Sequence, residues 1–81
     1  MHVAVELSLY PLTGEFIPPI EDFIMRLNAR PGLRVVTNSM STQVSGDYAL
    51  VMQALTEEMA RTFAEPSRAV FVMKVLGGGR D

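Results

Sequence analysis

The chain has 81 residues, which is enough for one domain with a single layer of helices on a sheet, so we expect one domain over residues 1–81. Hydrophobic residues make up 48% and charged residues 20%, a globular composition, and the net charge of −2 argues against sequence-independent nucleic-acid binding, which needs a basic surface. Cysteine is absent, which excludes disulfides, thiol catalysis and cysteine-ligated metals.

The first part of the chain predicts a strand followed by a helix. Residues 2–10 alternate apolar and polar side chains with a period of two, which indicates a β-strand that ends at Pro11. Pro18 and Pro19 suit the first turn of a helix, where their missing N–H groups are not needed, and Pro31 ends it. The apolar stripe of this helix is predicted to be Ile17, Ile20, Phe23, Ile24 and Leu27.

The rest of the chain predicts two strands, a second helix and a last strand. The strands cover residues 33–38 and 40–45 and are joined by a tight turn. Asp47 suits the N-cap of a helix over residues 48–63, and residues 68–76 form the last strand. The buried stripe of the second helix is predicted to be Tyr48, Val51, Met52, Leu55, Met59 and Phe63.

The predicted order of elements is β-α-β-β-α-β, which is the ferredoxin-like pattern. In this α+β fold a four-stranded antiparallel sheet carries two helices on one face. Residues 77–81, which begin with three glycines, are expected to form a flexible end. The other face of the sheet is therefore left open by the elements of the chain itself.

The last strand predicts that something covers this open face. Lys74 is the only charged residue between Ala69 and Leu76, whereas a solvated antiparallel face should alternate polar and apolar side chains. We expect a second copy of the domain to provide the cover, giving a homodimer or homotetramer. The alternative is that a few apolar side chains stay exposed, which is common.

Polar side chains of the first and third strands predict a small-ligand site on the open face. A carboxylate, hydroxyls, an amide and an aromatic ring around apolar residues are the ingredients of a small-molecule pocket, and a carboxylate suits an amino-bearing or cationic heterocycle. The first strand supplies Glu6, Ser8 and Tyr10. The third strand adds one of two sets, which are Ser41 with Gln43 or Met40 with Thr42. The alternative is that Glu6 only pairs with Lys74 across the sheet while the hydroxyls hydrogen-bond at an interface.

Two short motifs stand in the first and third strand regions. They are Ser8-Leu9-Tyr10-Pro11-Leu12 followed by Phe16-Ile17-Pro18, and Met40-Ser41-Thr42-Gln43-Val44-Ser45-Gly46. At this spacing they resemble the thiamine/hydroxymethylpyrimidine-binding family, the YkoF-like group and its single-domain relatives. The resemblance implies a ferredoxin-like domain that associates through its sheets and binds thiamine or its pyrimidine moiety without converting it. It also implies that Ser8, Tyr10, Ser41 and Thr42 lie near the ligand.

The sequence thus favours a binding protein over an enzyme, with no catalytic residue, metal site or cofactor. His2 is the only histidine, so neither a histidine-based triad nor a metal site with two histidines can form within one chain. No apolar run is long enough to span a bilayer, and the first residues lack the basic segment of a secretory signal, so we expect a cytoplasmic protein. The expected ligand-binding residues are Glu6, Ser8, Tyr10, Ser41, Thr42 and Gln43. The alternative function is a structural or regulatory oligomerisation module without a ligand.

Overall fold

The computed structural model describes residues 1–78 and has the order of elements that the sequence predicts. The predicted flexible end falls partly on residues 79–81, which lie outside the described residues, whereas Gly77 belongs to the last strand. The elements are β1 (His2–Pro11), α1 (Ile17–Asn28), β2 (Arg34–Thr37), β3 (Thr42–Asp47), α2 (Tyr48–Phe63) and β4 (Ala69–Gly77).

The four strands form one antiparallel sheet in the order β2-β3-β1-β4. β1 is therefore flanked on both sides, and its residue Glu6 lies in register between Gln43 of β3 and Lys74 of β4. Both helices pack on the face of the sheet to which the side chains of Val5 and Val44 point. This confirms the ferredoxin-like α+β fold.

The hydrophobic core lies between this side of the sheet and the two helices. The odd-numbered side chains of β1 point into it, as the alternation of the sequence predicts. Burying one such side chain contributes about 1.5–3 kcal/mol relative to leaving it exposed. The ten buried apolar residues are Val3, Val5, Leu7, Leu9, Phe23, Leu27, Val44, Val51, Ala54 and Leu55.

The buried stripe of α2 differs from the predicted one. Tyr48 and Phe63 are exposed, whereas Ala54, Glu58 and Thr62 are buried with Val51 and Leu55. Hydrophobicity alone cannot predict this stripe, because α2 also packs against α1. A carboxylate is tolerated there since Arg26 and Arg30 of α1 reach it. In α1 the fully buried residues are Phe23 and Leu27.

The entry into α2 is fixed by a glycine and a capping aspartate. Gly46 adopts φ +155°, and a Cβ at this position would lie 3.0 Å from the backbone oxygen of Gly32. The Asp47 carboxylate accepts a hydrogen bond from the backbone N–H of Ala49, which confirms the predicted N-cap. Within residues 1–78, no helix is long and apolar enough to cross a membrane.

Candidate functional site

Most of the predicted site residues lie on the sheet face that points away from the helices, called the open face below. The even-numbered residues of β1 point this way, in contrast to the buried odd-numbered ones. Ser41 joins them, because its hydroxyl donates a hydrogen bond to Glu6 Oε2 at 3.3 Å. The side chains brought together on this face are Glu6, Ser8, Tyr10, Ser41 and Gln43.

Thr42 lies on the opposite side of the sheet and is buried. Its Oγ1 is 3.3 Å from Oγ1 of Thr37 in the neighbouring strand β2. Of the two sets that the sequence left open for the third strand, the structure places Ser41 and Gln43 on the open face, and Thr42 faces the helix side. A ligand can reach both Ser41 and Thr42 only around the end of β3.

The Glu6 carboxylate has two long contacts, one with the Ser41 hydroxyl and one with the Lys74 ammonium group. Besides the Ser41 hydroxyl, Lys74 Nζ lies 3.9 Å from Glu6 Oε1, so the cross-strand ion pair considered above is present. The Lys74 side chain is 85% exposed, and such an ion pair contributes about 0–1 kcal/mol. The Glu6 side chain itself is about half exposed, which leaves its oxygens able to accept further hydrogen bonds.

A groove of about 200 Å³ lies at the end of the sheet where β1 leaves β3, and we call it the end groove. Its walls are α1, the end of β1 and the turn at residues 37–42. Four of the predicted residues line it, and they are Ser8, Tyr10, Ser41 and Thr42. A second depression of about 620 Å³ lies on the open face around Glu6 and Gln43. The Ser41–Glu6 hydrogen bond links the two cavities.

The side chain of Asn38 bonds to the backbone of the turn between β2 and β3. Its Oδ1 accepts hydrogen bonds from the backbone N–H groups of Met40 at 2.8 Å and Ser41 at 3.0 Å. The Ser8 hydroxyl donates to the backbone oxygen of Met40 at 3.4 Å, which ties the turn to β1. An asparagine whose side chain accepts hydrogen bonds from backbone N–H groups two and three residues later fixes the conformation of the turn that follows it. Asn38 therefore positions Ser41 at the groove.

Sequence reasoning missed two parts of the end groove. Ile20 and Ile24 of α1 form an apolar wall, and the Asn38–Met40 turn forms the rim. Both isoleucines belong to the predicted apolar stripe of α1, but only the structure shows that Phe23 and Leu27 are the fully buried members of that stripe. No pattern in the sequence indicated the rim, because its role depends on how the turn folds over β1.

A group of charged side chains also joins the two helices, away from the end groove. Glu58 of α2 is buried and accepts hydrogen bonds from Arg26 at 3.0 Å and from Arg30 at 2.8 Å. Arg30 also donates to Glu57, which raises the pKa of the Arg30 guanidinium and lowers the pKa of the Glu57 carboxyl. Every charge in this helix-pair ion cluster (Arg26, Arg30, Glu57 and Glu58) has a partner, so it stabilises the helix pair.

Solved structures with the same fold cover almost the whole chain. A Streptococcus pneumoniae protein superposes with a TM-score of 0.89 at 21% identity, over 98% of this chain and 89% of its own. A hypothetical protein of Methanocaldococcus jannascii gives 0.83 at 23% identity, over 99% of this chain and 84% of its own. A Thermotoga maritima protein described as a candidate for thiamine biosynthesis or salvage gives 0.83 at 16% identity, over 96% and 85%. At these identities the likeness establishes the fold alone.

Comparison by sequence adds nothing to this likeness of fold. No protein-family profile matches the chain, and no match is found among proteins of curated function.

Proposed function

We propose that this chain is a non-enzymatic cytoplasmic protein that binds thiamine or its hydroxymethylpyrimidine moiety at the end groove. The observation that carries the proposal is that four of the expected ligand-binding residues, Ser8, Tyr10, Ser41 and Thr42, line one groove. Apolar walls with a few convergent polar groups are the common pattern of small-molecule sites. The two family-like motifs, and the fold shared with the Thermotoga maritima protein, support the choice of ligand.

The size of the end groove favours the pyrimidine as the part of the ligand that it holds. Its volume of about 200 Å³ is below the roughly 300–1,000 Å³ of pockets for drug-sized ligands. A single heterocyclic ring suits this space, and Tyr10 offers a ring face for stacking, worth about 0.5–1.5 kcal/mol beyond burial. The remainder of thiamine then extends over the open face.

Glu6 is the group that gives the site its preference for an amino-bearing ligand. Its hydrogen bond from Ser41 is long, at 3.3 Å, and an exocyclic amino group can replace Ser41 as the donor. A hydrogen bond to a charged group is worth about 1.5–3 kcal/mol. The same carboxylate offsets the positive charge of a thiazolium ring.

Titration calorimetry and thermal shift with thiamine and hydroxymethylpyrimidine test the proposal. We expect both ligands to raise the melting temperature, because a ligand that binds the folded state stabilises it. Glu6→Gln should weaken binding about tenfold, which corresponds to about 1.4 kcal/mol. The matched control is Glu65→Gln, an exposed carboxylate outside both cavities, which should bind as the wild type does. Absence of heat and of thermal shift at millimolar ligand overturns the proposal.

A homo-oligomer, as a dimer or tetramer, is the second part of the proposed function, and it is supported by the open face. Val72 and Leu76 are 55% and 74% exposed there, on the same face as Glu6. Apolar side chains grouped on one face of a domain favour an interface. If the protein is an oligomerisation module without a ligand, light scattering will show an assembly and calorimetry will show no heat of ligand binding. Glu6→Gln separates the two functions, because it should weaken binding and leave the assembly intact.

A further inference from the structure

We propose that the depression on the open face holds a phosphoryl group, so that the protein binds a phosphate ester of its amino-bearing ligand more tightly than the unphosphorylated form. This site rests on the proposed function, in which the heterocycle lies in the end groove and the remainder of the ligand extends over the open face. The depression has a volume of about 620 Å³, against about 200 Å³ for the end groove, so it has room for a further group of the ligand.

Small side chains in the middle of the sheet form the floor of the depression. Directly opposite residues of antiparallel strands point to the same side of a sheet, so a row of registered residues shares the face of its members in β1. The two short side chains in the middle of the first row leave a hollow between its two long ones. That row runs across the four strands as Arg34, Ser45, Ala4 and Leu76.

Two cations line the depression from opposite edges of the sheet. Arg34 lies on β2 and Lys74 lies on β4, about 14 Å apart across the strands at roughly 4.8 Å per strand. Within residues 1–78, the exposed Arg34 forms no ion pair. Lys74 contacts a carboxylate only at the 3.9 Å distance from Glu6. Both cations are therefore available to an anion that lies between them.

The depression is a positive region in a chain of net charge −2. Its lining contains the two cations Arg34 and Lys74 against the single carboxylate of Glu6. Arg26 and Arg30, in contrast, are paired with carboxylates between the helices. A phosphate monoester carries about −1.5 to −2 charges at pH 7, and its oxygens match the planar guanidinium group. The charge of the depression is therefore complementary to a phosphoryl group.

Uncharged donors add to the two cations. The Ser45 hydroxyl and the Gln43 side-chain amide line the same depression, and both can donate hydrogen bonds to phosphoryl oxygens. All of these groups belong to one chain, so the site is complete without a second copy. An anion site of this composition recognises the phosphoryl group, whichever molecule carries it.

Glu6 links the phosphoryl site to the end groove. It accepts the hydrogen bond from Ser41, which lines the end groove, and it contacts Lys74, which lines the depression. An amino group of the ligand that binds Glu6 satisfies this carboxylate and releases Lys74 to turn toward the phosphoryl group. A ligand with an amino group and a phosphoryl group therefore matches the order of charges along the open face.

Calorimetry with thiamine and thiamine monophosphate tests the proposal, because the two probes differ only in the phosphoryl group. We expect the ester to bind about tenfold more tightly, since each of the two exposed ion pairs contributes up to about fivefold. Inorganic phosphate alone is the third probe, because it carries the same charge without the heterocycle. It should weaken the apparent affinity for the ester by competition and leave the affinity for thiamine unchanged.

Substitution of the two cations shows whether they cause the preference. Arg34→Gln should lower the preference for the ester to about threefold, and the double variant Arg34→Gln/Lys74→Gln should abolish it. Neither variant should weaken thiamine binding, because thiamine has no anionic group. The matched control is Arg68→Gln, which removes an exposed arginine outside both cavities and should keep the full preference.

The outcomes separate this proposal from the proposed function. Equal or weaker binding of the ester by the wild type, or a preference that the double variant retains, overturns the phosphoryl site and leaves the thiamine site standing. Binding of the ester alone, lost in the double variant, supports the phosphoryl site and overturns thiamine as the ligand. Absence of binding by both thiamine and its ester overturns both proposals.

Discussion

Arg26 of α1 and Glu58 of α2 are joined by a hydrogen bond of 3.0 Å, and the Glu58 side chain is only 3% exposed. The second carboxylate oxygen of Glu58 accepts from Arg30 at 2.8 Å. Arg26 also donates to the Thr62 hydroxyl at 2.9 Å, one turn further along α2. One buried carboxylate therefore fixes how the two helices lie against each other on the sheet.

Glu58→Ala should destabilise the domain strongly. Removing the buried partner of an ion pair costs up to about 3–5 kcal/mol. Asp22 still pairs with Arg26 and Glu57 still pairs with Arg30, so the loss should lie below the upper end of this range. Urea denaturation followed by circular dichroism measures the loss. Glu58→Gln keeps the shape and one acceptor oxygen and should cost less. A loss below about 1 kcal/mol for Glu58→Ala, as in surface ion pairs, would show that the cluster contributes little.

Glu57 should contribute stability that disappears in acid. The hydrogen bond from Arg30 lowers the pKa of Glu57 in the folded state below its value in the unfolded chain. Its contribution is therefore fully present above the ordinary glutamate pKa of roughly 4.3 and is lost as the pH falls through the lowered folded value.

Denaturation of Glu57→Gln and wild type across this pH range checks the prediction. The difference between their free energies of unfolding should shrink as the pH falls, and it should be small, since Glu57 is half exposed. Glu65→Gln serves as the control and should show no such convergence. A constant difference between Glu57→Gln and wild type across the range would contradict the prediction.

Gly46→Ala should cost stability, whereas Gly14→Ala should not. Gly46 has φ +155°, and its new Cβ would lie 3.0 Å from the Gly32 backbone oxygen, which cannot move aside as a side chain can. A strained backbone position costs on the order of 1–3 kcal/mol. Gly14 has no described atom within 4 Å of such a Cβ. Thermal denaturation of both variants decides this, and equal melting temperatures would contradict it.

Asp47→Ala should destabilise α2 by about 0.5–2 kcal/mol, because the N-cap bond to the Ala49 N–H is lost. Asp47→Asn keeps an oxygen for the cap but removes the charge that lies 3.4 Å from the N-terminal ammonium. It should therefore retain most of the stability. Chemical denaturation of the two variants measures the difference, and equal losses for Asp47→Asn and Asp47→Ala would show that the charge matters more than the cap.

The candidate site could be predicted in part. The alternation of β1 placed Glu6, Ser8 and Tyr10 on one face, because successive side chains of a strand point to opposite sides. The same rule separates Ser41 from Thr42, and the structure places Ser41 beside Glu6 and Thr42 among buried residues. The end groove itself was not predictable, since α1, β1 and the β2–β3 turn meet there from separate parts of the chain.

The sequence by itself determined the order of elements, the face of β1 that is buried and the N-cap at Asp47. Each of these follows from the geometry of a few neighbouring residues. Only the tertiary structure decided that Glu58 is buried, that Val75 and Phe63 stay uncovered at the β4 edge, and that the end groove exists. Those features depend on contacts between elements that are far apart in the chain. A local pattern in the sequence carries no information about such contacts.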